Sequence, residues 1–257
     1  MRALVVTGGH PFVAAPFFAV FDAIPDLEWR HVKQPAAAET LDEAAKDCEV
    51  VVFYDMPGIT FTRADPPIEV LTPTPKAIAA FESLLAASTP LVFLHHAIAG
   101  WPSWDRYAEV IGGRFHYRSA TLRGVDYPAS GYRFDAEHAV EVLDPSHPIC
   151  DGLDATFTIA DELYQFPAFE SEVTPLMRSQ ARFESDEFFS ADLAIRGERE
   201  SRSGWSHPSG TNLVAWVREE GDTPVAYIQF GDGPTTYADP NYRRVIANAI
   251  RWGASAR

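Results

Sequence analysis

The sequence predicts an α/β protein. The expected architecture is a doubly wound, mainly parallel sheet with helices on both faces and an inserted β and loop region at about 114–210, within one domain over 1–257. Three observations carry this. Short apolar runs at 3–7, 49–54 and 90–94 end in turn residues and alternate with helical segments, as strands covered on both faces do. That regularity fades after Gly112-Gly113 and returns near 211. A chain of 257 residues also buries roughly 70–75% of its unfolded surface, enough for a full core without disulfides or structural metal.

Taken in order, residues 3–7 form a β-branched run stopped by Gly8-Gly9, and the Ala/Phe-rich segment 12–24 reads as a helix. Residues 28–33 alternate like a half-buried strand, 40–47 suit a helix, and 49–54 form a continuous buried strand. A proline-rich loop over 55–75 precedes a helix at about 76–88 and a buried strand at 90–94. Ser103 is placed to cap a helix running to Ile111, which Gly112-Gly113 ends. The insertion holds the alternating stretch 132–143 and an acidic, Phe-rich patch at 183–192, and is expected to build one wall of a pocket. Strands at 211–217 and 224–230 and a helix at about 240–253 rejoin the sheet.

Composition narrows the function classes. Thirty-six acidic residues against 21 basic ones give a formal charge of -15, which argues against nucleic acid and anionic membranes. Two cysteines, Cys48 and Cys150, lack a CxxC partner and fit a reducing compartment as small apolar filler. The apolar N-terminal run is too short for a signal peptide, and no stretch approaches the ~18 apolar residues of a spanning helix. The expectation is a cytoplasmic, bacterial-type protein.

In an open parallel sheet, ligands bind beyond the carboxyl ends of the strands. Residues expected there are Gly8, Gly9 and His10, then Tyr54 and Asp55, then His95 and His96 with Trp101 close behind, and finally Gly231 and Asp232. The glycines lack a dinucleotide fingerprint or Walker motif, so no nucleotide cofactor is expected. His95 and His96 are candidates for proton transfer, against the plain reading of histidines bonded to loop backbone. Asp161 and Glu162 are a candidate acid/base pair, against an exposed turn or helix cap. Trp101 and Trp104, with Tyr54, Phe12 and Tyr117, offer flat faces for a sugar ring, against core packing. No metal is expected, because ligands such as His10, His96, His116 and Asp161 would have to come from distant segments.

Several of these segments together resemble the trehalose-utilisation, ThuA-like family. They are Val5-Val6-Thr7-Gly8-Gly9-His10, Val52-Phe53-Tyr54-Asp55-Met56-Pro57-Gly58, Leu94-His95-His96-Ala97-Ile98-Ala99-Gly100-Trp101, Ile111-Gly112-Gly113-Arg114-Phe115-His116, His147-Pro148-Ile149, Asp161-Glu162-Leu163-Tyr164 and Asn248-Ala249-Ile250-Arg251-Trp252. The resemblance implies the flavodoxin-like fold of the class I glutamine amidotransferase-like superfamily. That superfamily's nucleophilic cysteine would sit at the elbow after the fourth strand, where this chain has His95-His96, so glutamine hydrolysis is not expected. Many relatives show Gly-His where this chain has Gly231-Asp232.

The resemblance further implies sugar catabolism, with a functional link to a sugar dehydrogenase that makes 3-keto intermediates. The leading expectation is a protein that binds a sugar or keto-sugar and acts on it by general acid/base chemistry. His95 or His96 would move the proton, Asp55 or Asp161 would orient it, and Tyr54 and Trp101 would hold the ring, with Gly9, His10, His116, Glu162 and Asp232 also contacting substrate. The rivals are a non-catalytic binding module and a metal-dependent hydrolase. A homodimer is expected from base rates alone.

Overall fold

The computed structural model describes residues 1–62 and 64–256. Strand β1 (Arg2–Gly8), helix α1 (Ala14–Asp22) and β2 (Glu28–Lys33) open the chain, followed by α2 (Leu41–Ala44) and β3 (Val50–Asp55). A small hairpin, β4 (Ile59–Phe61) and β5 (Ile68–Val70), leads to α3 (Pro75–Ala86), β6 (Leu91–Leu94) and α4 (Asp105–Ile111). The insertion contributes β7 (Ala120–Leu122), β8 (Val125–Tyr127), β9 (Gly131–Val142), β10 (Thr156–Gln165), β11 (Thr174–Ser179), β12 (Phe189–Ser190) and α5 (Ala191–Ile195). The chain closes with β13 (Leu213–Glu220), β14 (Thr223–Ile228), α6 (Pro234–Ala238) and α7 (Pro240–Ser255).

The main sheet runs β10-β9-β11-β13-β14-β6-β3-β1-β2. Pairings from β2 to β14 are parallel, and in order of first appearance these five strands follow the 2-1-3-4-5 pattern of flavodoxin-like folds. Alternate side chains of β1 enter opposite cores: Ala3 and Val5 pack with α1 and α7, while Leu4 and Val6 pack with residues of α2 and α3. That two-sided burial is why β3 and β6 read as unbroken apolar runs.

The insertion extends the same sheet through antiparallel pairings from β13 to β10, so the whole sheet is mixed. The antiparallel half curls: β10 is the outer strand, yet the Tyr164 N–H donates to Gln229 Oε1 just past β14. This curl closes the site.

Several local expectations shift. Ser103 does not cap α4, because its hydroxyl donates to the Leu71 carbonyl and Trp104 takes the cap position without a side-chain bond. The segment around 40–47 forms only a four-residue α2 beside a 3-10 turn at Ala36–Glu39. Asp161 and Glu162 lie inside β10 and are buried, which excludes the exposed turn or cap.

Candidate functional site

The centre of the site is His95, the first residue beyond β6. It is fully buried, and its backbone φ of +48° is uncommon for a residue with a side chain. Nδ1 lies 2.6 Å from the Gln229 carbonyl. Nε2 lies 2.8 Å from the Tyr164 hydroxyl, 3.2 Å from Glu162 Oε2 and 3.6 Å from Asp232 Oδ1. These residues come from the ends of β6 and β14 and from β10. Burial opposes charge on His95, but Asp232, Glu162 and Asp161 together outweigh it and raise the imidazole to about 10.

A β-bulge aims Glu162. Asp161 pairs with Ala136 and Leu163 with Arg133, so Phe134 and Asp135 of β9 face Glu162 alone. Asp135 absorbs the irregularity at φ +48°. Burial raises the Glu162 carboxyl, with His95 opposing. Asp232 is 36% exposed at its side chain, and although burial works against its charge, His95 brings it below its ordinary value.

Asp161 serves the backbone. Its carboxylate accepts the N–H groups of Glu162 at 2.9 Å, Gly231 at 2.6 Å and Asp232 at 3.0 Å. One buried carboxylate thus fixes both residues that carry the neighbouring carboxylates. Gly231 suits this turn because its φ is +131°. Tyr54 supports it from the core, donating to the Gly231 carbonyl at 2.7 Å.

Glu162 and Asp232 line a cavity of 380 Å³, with His10 and Arg199 at its wall. Phe61, Phe115, Tyr117, Tyr132, Phe134 and Tyr164 supply flat faces. Largely aromatic walls with a few converging polar groups are the usual make-up of small-molecule sites. The His10 ring stands 4.7 Å from that of His96, and its Nδ1 is buried with no hydrogen-bond partner among the described residues. Burial and the nearby His95 lower its pKa.

Other sequence candidates lie elsewhere. His96 is buried behind His10, with Nε2 3.3 Å from the Tyr54 carbonyl. Asp55 is buried and accepts from Gln34 Nε2 at 2.7 Å. Gly9 and Trp101 line a separate cavity of 610 Å³ with Gln34 and Met56, which contains none of His10, His95, Glu162 or Asp232. The smaller cavity is therefore the one at the chemistry. His116 stacks on Tyr127 and is pushed down to about 4 by burial and Arg114. Tyr54 is buried, its hydroxyl also 2.7 Å from that of Tyr237. The ligand set His10, His96, His116 and Asp161 does not assemble; His95, Glu162 and Asp232 offer atoms within 4.8 Å of one another instead. Gln229 is not legible in the sequence as a site residue, since it simply follows an apolar strand with no motif around it.

The strand order and the turn at His95 define an α/β protein with a flavodoxin-like parallel half. A solved structure of a GMP synthase component from Thermoplasma acidophilum shares the fold, with TM-score 0.54 and 11% identity over 99% of this chain and 95% of that one. The trehalose utilisation (ThuA) family profile matches residues 24–253, and the chain belongs to that family. A ThuA-like protein from Parabacteroides merdae superposes with TM-score 0.68 at 12% identity, covering 100% of this chain and 90% of that one. Another, from Bacteroides uniformis, gives 0.63 at 16% identity over 98% and 90%. No curated protein matches the sequence. Among the described residues, no helix is long and apolar enough to cross a membrane.

Proposed function

We propose that this chain acts on a sugar or keto-sugar of the trehalose-type disaccharide class, in the cytoplasm, by general acid/base chemistry in the aromatic-walled cavity. The observation that carries the reading is the convergence of Glu162, Asp232 and His10 on that cavity, with His95 behind them. Aromatic faces receive a ring's C–H surface, and the polar floor receives its hydroxyl or carbonyl oxygens.

His10 is the proton-transfer group in this reading. His95 has both ring nitrogens engaged, and His96 is buried out of the cavity. His10 lines the cavity and has no side-chain partner for Nδ1 among the described residues. This reading does not invoke glutamine hydrolysis: His95 occupies the turn after β6, and Cys48 and Cys150 are buried.

The test is turnover of a panel of disaccharides and their 3-keto forms by wild type and His10→Ala. A positioned acid/base group contributes roughly 10²–10⁴-fold, so His10→Ala should lose about that much in kcat while still binding the substrate. Equal turnover by the variant would remove His10 from the mechanism, and no turnover of any panel member by wild type would remove the substrate class.

A further inference from the structure

His95 is held as a metal-ligating histidine is usually held. Its Nδ1 faces a backbone carbonyl, that of Gln229, at 2.6 Å, and this fixes the ring's tautomer and direction. Nε2 thereby faces Glu162 Oε2 and Asp232 Oδ1, at 3.2 and 3.6 Å, and the Tyr164 hydroxyl at 2.8 Å, a contact that an ion on Nε2 replaces. Donors about 2.1 Å from one shared ion, at tetrahedral or octahedral angles, stand about 3.0–3.4 Å apart. The 3.2 Å spacing falls inside that range and the 3.6 Å spacing just above it, and all three donor atoms lie within 4.8 Å of one another.

Charge points the same way. Two carboxylates, Glu162 and Asp232, converge on one imidazole in a largely buried place with Asp161 next in the chain, and charge there is costly unless it is paired. Asp161 is answered by three backbone N–H groups. Glu162 and Asp232 instead share His95 Nε2, with the Tyr164 hydroxyl beside Glu162, and both line the cavity, where Arg199 is the cationic side chain.

We propose that His95 Nε2, a Glu162 oxygen and an Asp232 oxygen bind one first-row divalent transition-metal ion, which takes the place of the proton on Nε2 and releases it to solvent, with its remaining positions open to the cavity. One imidazole and two carboxylates suit manganese, iron, cobalt or zinc, and exclude a thiolate-selected site. Around these ligands, Gln229 orients His95 and Asp161 anchors the backbone of both carboxylate residues. The open positions take two oxygens of a bound sugar or keto-sugar; this clause rests on the function proposed above, whereas the ion site does not. His10 stays outside the ligand set and keeps its proton-transfer role.

The experiment uses the full chain, freed of any affinity tag and treated with chelator, titrated with Mn²⁺. Free ion is followed by electron paramagnetic resonance, and the fold by circular dichroism. One ion per chain is expected, with affinity at least tenfold weaker in Glu162→Gln and Asp232→Asn and unchanged in Glu39→Gln, a residue of the other cavity. Co²⁺ bound to wild type should show a visible absorption band that Zn²⁺ abolishes, a readout that needs no variant to fold. Absence of stoichiometric Mn²⁺ and Co²⁺ binding overturns the site, as does binding that both carboxylate variants leave unchanged. Sugar binding measured on the chelator-treated chain separates the two proposals: binding of sugar but no ion sinks the ion site alone, and binding of ion but no sugar sinks the substrate reading alone.

Discussion

Replacing Asp55 by Asn should stabilise the protein at neutral and alkaline pH while leaving it nearly unchanged in mild acid. Asp55 ends β3 and is 1% exposed. Burial raises its carboxyl from the ordinary 3.8 to about 7, with the Gln34 hydrogen bond and a backbone N–H opposing. Between those two values the unfolded chain has released this proton and the folded chain still holds it. Stability therefore falls as pH rises from about 4 to about 7, and levels off above. At ~1.4 kcal/mol per pH unit, the full cost is about 4 kcal/mol. Local relaxation and water entry reduce such costs, so about 2–4 kcal/mol is expected at pH 8.

Asn removes the titration but keeps an acceptor for Gln34 Nε2. Its amide nitrogen also offers a partner to Gln34 Oε1, a buried acceptor with none among the described residues. The assay is urea unfolding of wild type and Asp55→Asn at intervals from pH 4.5 to 8. The stability difference between the two proteins isolates Asp55, because every other group titrates in both. It should grow with pH and plateau near 8. A difference that stays flat across the range would refute the buried-acid reasoning.

Two further substitutions probe the frame of the site. Gly9→Ala drives a Cβ into the Met56 carbonyl oxygen at a φ of +83°, so the backbone must move; a loss of about 2–4 kcal/mol in urea unfolding is expected, and a loss under about 0.5 kcal/mol would contradict the close approach. Asp161→Asn turns one acceptor oxygen into a donor opposite buried N–H groups, which should cost about 1–3 kcal/mol. Unchanged stability there would show that the β14 turn is held by something else.

What can be read from the sequence follows from how locally each feature is encoded. Strands β1, β3 and β6 announce themselves because both faces are covered. Helix α7 does so through Asp239, which caps two N–H groups, and Pro240 at its first position. The second half of β10 is hidden, because Asp161, Glu162 and Gln165 break the apolar pattern while being buried for their polar contacts. The short α6 is equally hard to read, since five residues carry little periodicity.

At the site, His10, His95, Glu162 and Asp232 are all visible as strand-end or paired polar residues. Their convergence is not, because it depends on the curl that brings β10 to β14 across 70 residues of chain. The same non-local geometry sends Tyr54 into the core, Trp101 to another cavity and His116 beside Tyr127. Nothing in their local sequence distinguishes them from the residues that do meet.

The proposed function requires a sugar to bind in the aromatic-walled cavity. Calorimetric titration of trehalose-type disaccharides and their 3-keto forms into wild type and into Ala194→Trp, which fills the cavity from α5, tests this most directly. Saturable 1:1 binding to wild type, with melting raised in proportion to ligand, and its loss in a folded Ala194→Trp are the predicted results. Binding that survives Ala194→Trp, or no binding by wild type to any of these sugars, would contradict that function.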